Sequence, residues 1–181
     1  NIVLRMKSVN PDIVIPANYY NEYALLLRTM QQQRVVPKAV YSVLGGAASS
    51  YKFVKEFPDA AEGIIDCNHW FNPNDRRAFA LKQRTEAKGL FFTYEVFNTY
   101  TAVMLLAEAI ERAKSAERGA IIAALASSTF KDHFMPYGDT KFVDGQNTGA
   151  MPLMTQVVKG DIKVIVPREY RQVEPVFPLK T

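Results

Sequence analysis

The sequence lacks several features that mark common classes of protein. It contains one cysteine, Cys67, so no internal disulfide can form, and we expect a small, buried, unreactive side chain. Its two histidines, His69 and His133, lie far apart in the chain. We therefore expect no site built on both, and neither a metal nor another cofactor.

Long apolar runs and basic clusters are also missing. No segment is apolar over enough residues to cross a bilayer, and the N-terminus shows no signal-peptide pattern. The 22 lysines and arginines are interleaved with 18 acidic residues, which gives a net charge of +4. Because no basic run alternates with aromatic residues, nucleic acid is not an expected partner.

Enzymatic signatures are absent as well. The chain has neither the G-x-S-x-G pattern of a nucleophile elbow nor a histidine paired with an acid, so we do not expect an enzyme. The chain opens with NIVLRMKSVNPD, which is typical of the end of a helix leading into a strand, and not with methionine. We therefore expect the whole protein to begin earlier.

The stretch PDIVIPANYYNEYALLLRTM, residues 11–30, shows what the chain does contain. Ile13 to Ile15 form a short apolar run, which predicts a strand buried on both faces and ended by Pro16. A polar and aromatic loop follows, then Asn21 as a predicted N-cap. Apolar residues spaced as on one face of a helix come next: Tyr23, Leu26, Leu27 and Met30.

Two more segments with the same order of strand, loop and helix follow. The segments AVYSVL (39–44) and GIIDC (63–67) are predicted strands, and each is followed by a loop and a helix. Three successive strand–loop–helix units predict an α/β fold with a doubly wound parallel sheet, in which the three loops share one edge. Such an edge is where open α/β sheets bind ligands.

The rest of the chain is predicted to be helical and then β. The long helix from about 94 to 114 is apolar nearly all round, as expected of a helix buried inside something larger. A second helix covers 117–126, and LMTQVVKGDIKVIVP (153–167) predicts a β-hairpin that turns at Lys159–Asp161.

In this order, the pieces resemble the type I periplasmic solute-binding proteins of ABC transporters, in the branch of the branched-chain amino-acid binding proteins. The resemblance rests on NPDIVIPANYYNEYALLLRTM, on AAEGIIDCNHWFNPND, on Tyr100 within FNTYTAVMLLAEAIERA, and on KFVDGQN and TQVVKGDIKVIVP. It covers essentially the whole chain.

The resemblance implies two α/β lobes that close on a ligand. Residues 1–92 would then belong to the C-terminal lobe, 93–135 would return to the N-terminal lobe, and 136–181 would form a hinge crossing and the closing hairpin of the C-terminal lobe. Most of the N-terminal lobe would be missing. The protein would be an exported, periplasmic monomer, with its signal peptide outside this chain, delivering solute to a membrane permease. The alternative is a ligand-sensing module of a receptor or regulator with the same fold.

The resemblance also implies which residues contact the ligand. In the family, the loop after the first strand of this chain gives an aromatic residue, a position that Tyr19 fits, with Asn18 and Tyr20 beside it. Either tyrosine could instead pack on its own helix. After the third strand, His69 and Trp70 could line the cleft, or could pack within the loop.

The second loop departs from the family pattern. Amino-acid binders carry a carboxylate there that pairs with the ligand ammonium, whereas this chain has Gly45 and Gly46 in that region and no acid from 43 to 50. Because a buried ammonium without a charge partner is costly, either the ammonium is satisfied elsewhere or the ligand has none. Glu95, near the start of the long helix, could be that charge partner, or could be an acid favoured there by the helix dipole. We favour the latter: an aromatic or other carboxylate, or an amide. GGAASS lacks the lysine of a phosphate-binding loop.

Overall fold

The computed structural model describes residues 1–43 and 48–179. Seven helices and seven strands occur in these ranges, with a short 3-10 turn after the last strand. The helices are α1 (Ile2–Val9), α2 (Tyr20–Gln32), α3 (Tyr51–Glu56), α4 (Pro58–Ala61), α5 (Arg76–Ala87), α6 (Tyr94–Ala113) and α7 (Arg118–Ala126). The strands are β1 (Ile13–Val14), β2 (Ala39–Val43), β3 (Ile65–Asn68), β4 (Phe142–Val143), β5 (Gln146–Asn147), β6 (Leu153–Val158) and β7 (Asp161–Val166).

Five of the strands form one sheet, in the order β1-β2-β3-β6-β7. The first three strands are parallel, which confirms the predicted α/β fold, and β6 and β7 add to them as an antiparallel hairpin. The hairpin turns through Lys159 and Gly160, both with positive φ, as the predicted turn requires. Strands β4 and β5 form a separate two-stranded ribbon.

Strand β1 is shorter and more exposed than its sequence predicts. Only Val14 is buried, whereas Ile13 is 53% and Ile15 63% exposed. The expectation of a strand buried on both faces is wrong for this chain, because β1 is the edge of the sheet and pairs only with β2. Helix α2 begins at Tyr20, with Tyr19 as its N-cap, so the predicted cap at Asn21 is also wrong.

The long helix α6 likewise exposes its apolar residues. Its buried residues are Phe97, Thr101 and Ala109, while Val103 is 58% exposed and Leu106 44%. Among the described elements it packs mainly on α7, which itself exposes Ile122. The apolar pattern thus predicted the helix correctly, but most of the apolar surface is uncovered in this chain. No helix of residues 1–43 and 48–179 is long and apolar enough to cross a membrane.

The segment after β7 returns across the sheet and is held by a buried glutamine. The side-chain amide of Gln156 donates to the carbonyls of Gly63 and Val176 at 2.9 Å each, and its carbonyl accepts from Val176 N at 2.8 Å. Farther on, Leu179 N donates to Lys38 O at 2.8 Å. These bonds join the chain after β7 to the residues that precede β2 and β3.

Candidate functional site

The three parallel strands bring three loops to one edge of the sheet. Because β1 pairs with β2 and β2 with β3 in parallel, their carboxyl ends point the same way. The segment containing Asn18 and Tyr19 follows β1, and His69 and Trp70 follow β3. Gly45 and Gly46, in the loop after β2, lie outside the described residues. We call this side of the sheet the carboxyl edge.

Tyr19 and Tyr20 have different surroundings. Tyr19 is 82% exposed and makes no side-chain cap bond to α2. The Tyr20 hydroxyl donates to Glu56 Oε2 at 2.5 Å, and Lys52 Nζ lies 4.2 Å from the Tyr20 ring centroid. Partial burial and the bond to Glu56 raise the pKa of Tyr20. Tyr20 is therefore anchored to α3, whereas the ring of Tyr19 is available for a ligand.

Asn18 is half-buried and faces a different part of the surface. It lies on a groove of about 790 Å³ between α1 and α2, whose walls are mostly apolar and include Ile2, Leu4 and Leu25. This groove is separate from the side chains of Tyr19 and Trp70, neither of which lines it. The predicted contact by Asn18 remains a prediction.

The segment just before α3 is tied to the segment just before α6. Ser50 forms an isolated antiparallel bridge with Thr93, and Tyr51 N donates to Phe92 O at 3.2 Å. This pairing brings the first turn of α6, with Tyr94 and the exposed Glu95, to the carboxyl edge.

Tyr94, the first residue of α6, is affected electrostatically by three nearby side chains. Burial raises the pKa of Tyr94 most, and the neighbouring Glu95 carboxylate raises it further. Asp66 and Tyr19 lie close enough to the Tyr94 hydroxyl to add smaller effects of the same sign. Tyr19, from the segment after β1, thus approaches Tyr94 at the start of α6. The role of Glu95 as a charge partner for a ligand remains a prediction.

Trp70 and His69 differ in burial. Trp70 is 1% exposed, and its ring centroid lies 5.0 Å from Phe71 and 5.3 Å from Phe97. Together with Tyr51 and Phe92, these residues form what we call the aromatic cluster. His69 is half-buried, and its backbone N–H bonds Asn68 Oδ1 at 2.8 Å. The burial of Trp70 indicates a packing role, and its predicted ligand contact remains a prediction.

Asp66 on β3 is an acidic residue that the sequence interpretation missed. It is 0% exposed; Ser49 Oγ donates to its Oδ2, and its Oδ1 has no partner in the described residues. Burial raises the pKa of the Asp66 carboxyl, although the Ser49 hydroxyl that donates to it and the neighbouring Ser42 hydroxyl oppose the rise. A charged residue inside the otherwise apolar strand GIIDC was the signal available in the sequence.

The other histidine has a structural environment. His133 Nε2 contacts Gly138 O at 3.0 Å, and its Nδ1 accepts from Met135 N at 3.2 Å. Burial foremost lowers the pKa of His133, which favours the neutral ring. No group of three or more histidine, cysteine, aspartate or glutamate side chains in residues 1–43 and 48–179 could hold a metal ion.

Comparison with known proteins identifies the family. The family model described as "Periplasmic binding protein" matches residues 1–161, so the chain belongs to the periplasmic binding protein family. The carboxyl edge described above is therefore part of a solute-binding fold. The search of curated proteins found no match.

Solved structures have the same fold. A leucine binding protein from Thermotoga maritima superposes with a TM-score of 0.71 at 22% identity, over 90% of this chain and 46% of that one. A solute binding protein of an ABC transporter from R. palustris, solved in complex with benzoate, gives a TM-score of 0.74 at 16% identity, over 96% and 47%. A putative branched-chain amino acid ABC transporter from Silicibacter pomeroyi gives 0.71 at 18%, over 98% and 49%. This chain thus spans about half the length of the structures it matches.

Proposed function

We propose that this chain is the C-terminal portion of a solute-binding protein of an ABC importer, which captures a small organic ligand between two lobes and releases it to a permease. The ligand belongs to the carboxylates, amides or amino acids, and no chemistry is performed on it. The protein works in the periplasm as a monomer. The observation that carries the proposal is the exposed Tyr19 ring at the carboxyl edge of a parallel sheet, where α/β folds bind ligands.

The division of the chain between two lobes is supported by its uncovered apolar surface. Residues 1–92 and 136–181 would form the C-terminal lobe, and 93–135 would pack on the other lobe. Helix α6 exposes Val103, Met104 and Leu106, and such surface is expected to pack against protein. Because the match spans about half of each solved structure, the other half of the family fold is a suitable partner for it.

A thermal-shift screen tests the function in the full-length protein. L-Leucine, benzoate and acetamide represent the three ligand classes. A binder present at 100 times its Kd should stabilise the protein by about 2.7 kcal/mol. Stabilisation by one probe, with the probe recovered unchanged, is the expected result. The proposal fails if none of the three raises the melting temperature, or if the bound probe is turned over.

Substitution of Tyr19 tests whether its ring contacts the ligand. With the probe that binds, Tyr19→Ala should weaken binding about 5- to 10-fold in calorimetric titration, because an aromatic contact contributes about 0.5–1.5 kcal/mol beyond the area it buries. Tyr20→Phe is the matched control: it keeps a ring next to Tyr19 but loses the bond to Glu56. Unchanged affinity in Tyr19→Ala together with weaker binding in Tyr20→Phe would reverse the assignment.

A further inference from the structure

Asp66 is one member of a row of buried polar side chains. Strand register places Ser42 on β2 and Thr155 on β6 directly beside it, and all three residues are at most 1% exposed. We call these three residues the polar row. Tyr23 of α2, also fully buried, is close enough for the charge of Asp66 to raise its pKa.

The carboxylate in this row has no positively charged partner in the part of the chain that the structure describes. None of the ion pairs within residues 1–43 and 48–179 includes Asp66. Among the described residues, Ser42 Oγ, Thr155 Oγ1 and the Tyr23 hydroxyl have no hydrogen-bond partner either. Burying a carboxylate without a cation destabilises a fold. A residue that costs stability in this way is expected to serve function.

The hydrogen bond from Ser49 links the Asp66 side chain to the end of the β2–α3 loop. Ser49 donates this bond, and it is the first of three consecutive residues that are hydrogen-bonded to other parts of the protein. Ser50 pairs with Thr93, and Tyr51 N donates to Phe92 O at 3.2 Å. Asp66 therefore fixes the end of the β2–α3 loop on β3, and the next two residues connect that loop to the start of α6.

We propose that Asp66 is a positioning residue of the ligand site, which holds Ser49 and thereby orders residues 48–51 for ligand binding. The inference rests on the proposed function, since it concerns the same carboxyl edge. It differs from a charge-pairing role, because Asp66 is fully buried and acts on the ligand through the loop. A ligand that the loop contacts is bound more tightly when the loop is already ordered.

Hydrogen exchange of the full-length protein without ligand tests the loop directly. In Asp66→Ala and in Ser49→Ala, exchange at the Tyr51 amide should accelerate at least 10-fold, while the Val157 amide in β6 should change little. Thr155→Val is the matched control, because it removes a buried hydroxyl of the polar row that makes no bond to the loop. Unchanged protection at Tyr51 in both alanine variants would overturn the proposal whether or not a ligand is found.

Affinity supplies the second measurement. For whichever of L-leucine, benzoate and acetamide binds, Asp66→Ala and Ser49→Ala should each weaken binding about 5- to 10-fold, and the double variant no further, because one bond is lost in each case. Asp66→Asn, which can still accept from Ser49, should restore affinity to within about 2-fold of the unsubstituted protein. Additive losses, or failure of asparagine to restore binding, would exclude the positioning role. If none of the three probes binds, the proposed function fails and hydrogen exchange alone decides this inference.

Discussion

Trp70→Ala is expected to lower the free energy of unfolding by about 3–5 kcal/mol, the range seen for deletion of a buried aromatic side chain. Trp70 is 1% exposed and contacts Phe71, Phe97 and Tyr51 in the aromatic cluster. Removing the indole leaves a cavity that these rings can fill only in part. The substitution removes the only tryptophan in the chain, so tryptophan fluorescence cannot report its unfolding. Unfolding in urea should therefore be followed by far-ultraviolet circular dichroism.

Trp70→Phe distinguishes packing from ligand contact. Phenylalanine keeps an aromatic ring in the cluster and removes the indole N–H, which has no partner among the described residues, so the loss of stability should be clearly smaller than with alanine. If Trp70 only packs, ligand affinity in Trp70→Phe should match that of the unsubstituted protein. A large loss of affinity with little loss of stability would instead establish the ligand contact that the sequence predicts.

Asp66→Asn is expected to raise the melting temperature at pH 7–8, in contrast to most buried substitutions. Burial raises the pKa of the folded carboxyl above its unfolded value of about 3.9, so the folded state prefers the neutral form. The stability that this preference contributes is complete below about pH 3.9, and it is lost as the pH rises through the folded pKa. The stability gained by Asp66→Asn should therefore grow as the pH rises from about 3.9 through the folded pKa of Asp66, and then level off.

Melting curves between pH 4 and pH 8 test this dependence. Thr155→Val is a suitable control, because it alters the polar row without removing an ionisable group and should shift stability similarly at every pH. A difference between Asp66→Asn and the unsubstituted protein that stayed constant from pH 4 to pH 8 would show that burial does not raise this pKa. A gain in stability from Asp66→Asn is compatible with a functional role, since ligand sites commonly retain residues that destabilise the fold.

The sequence by itself determined the elements and their broad arrangement. Apolar runs of strand length gave β2 and β3, helical spacing gave α2 and α6, and the turn at Lys159–Gly160 gave the final hairpin. Those signals are local, because the spacing of side chains along a strand or helix depends only on backbone geometry. The common edge of the three loops followed from the handedness of the connections.

Only the tertiary structure decided which side chains are buried and which other residues they contact. Ile13 and Ile15 are exposed because β1 is the sheet edge, a consequence of strand order that no local pattern encodes. Tyr20 differs from Tyr19 because its hydroxyl donates to Glu56, the last residue of α3. Strand register alone showed that Asp66 is buried beside Ser42 and Thr155. In each case the deciding contact joins residues distant in sequence, so its energy depends on packing and not on the residue's own neighbours along the chain.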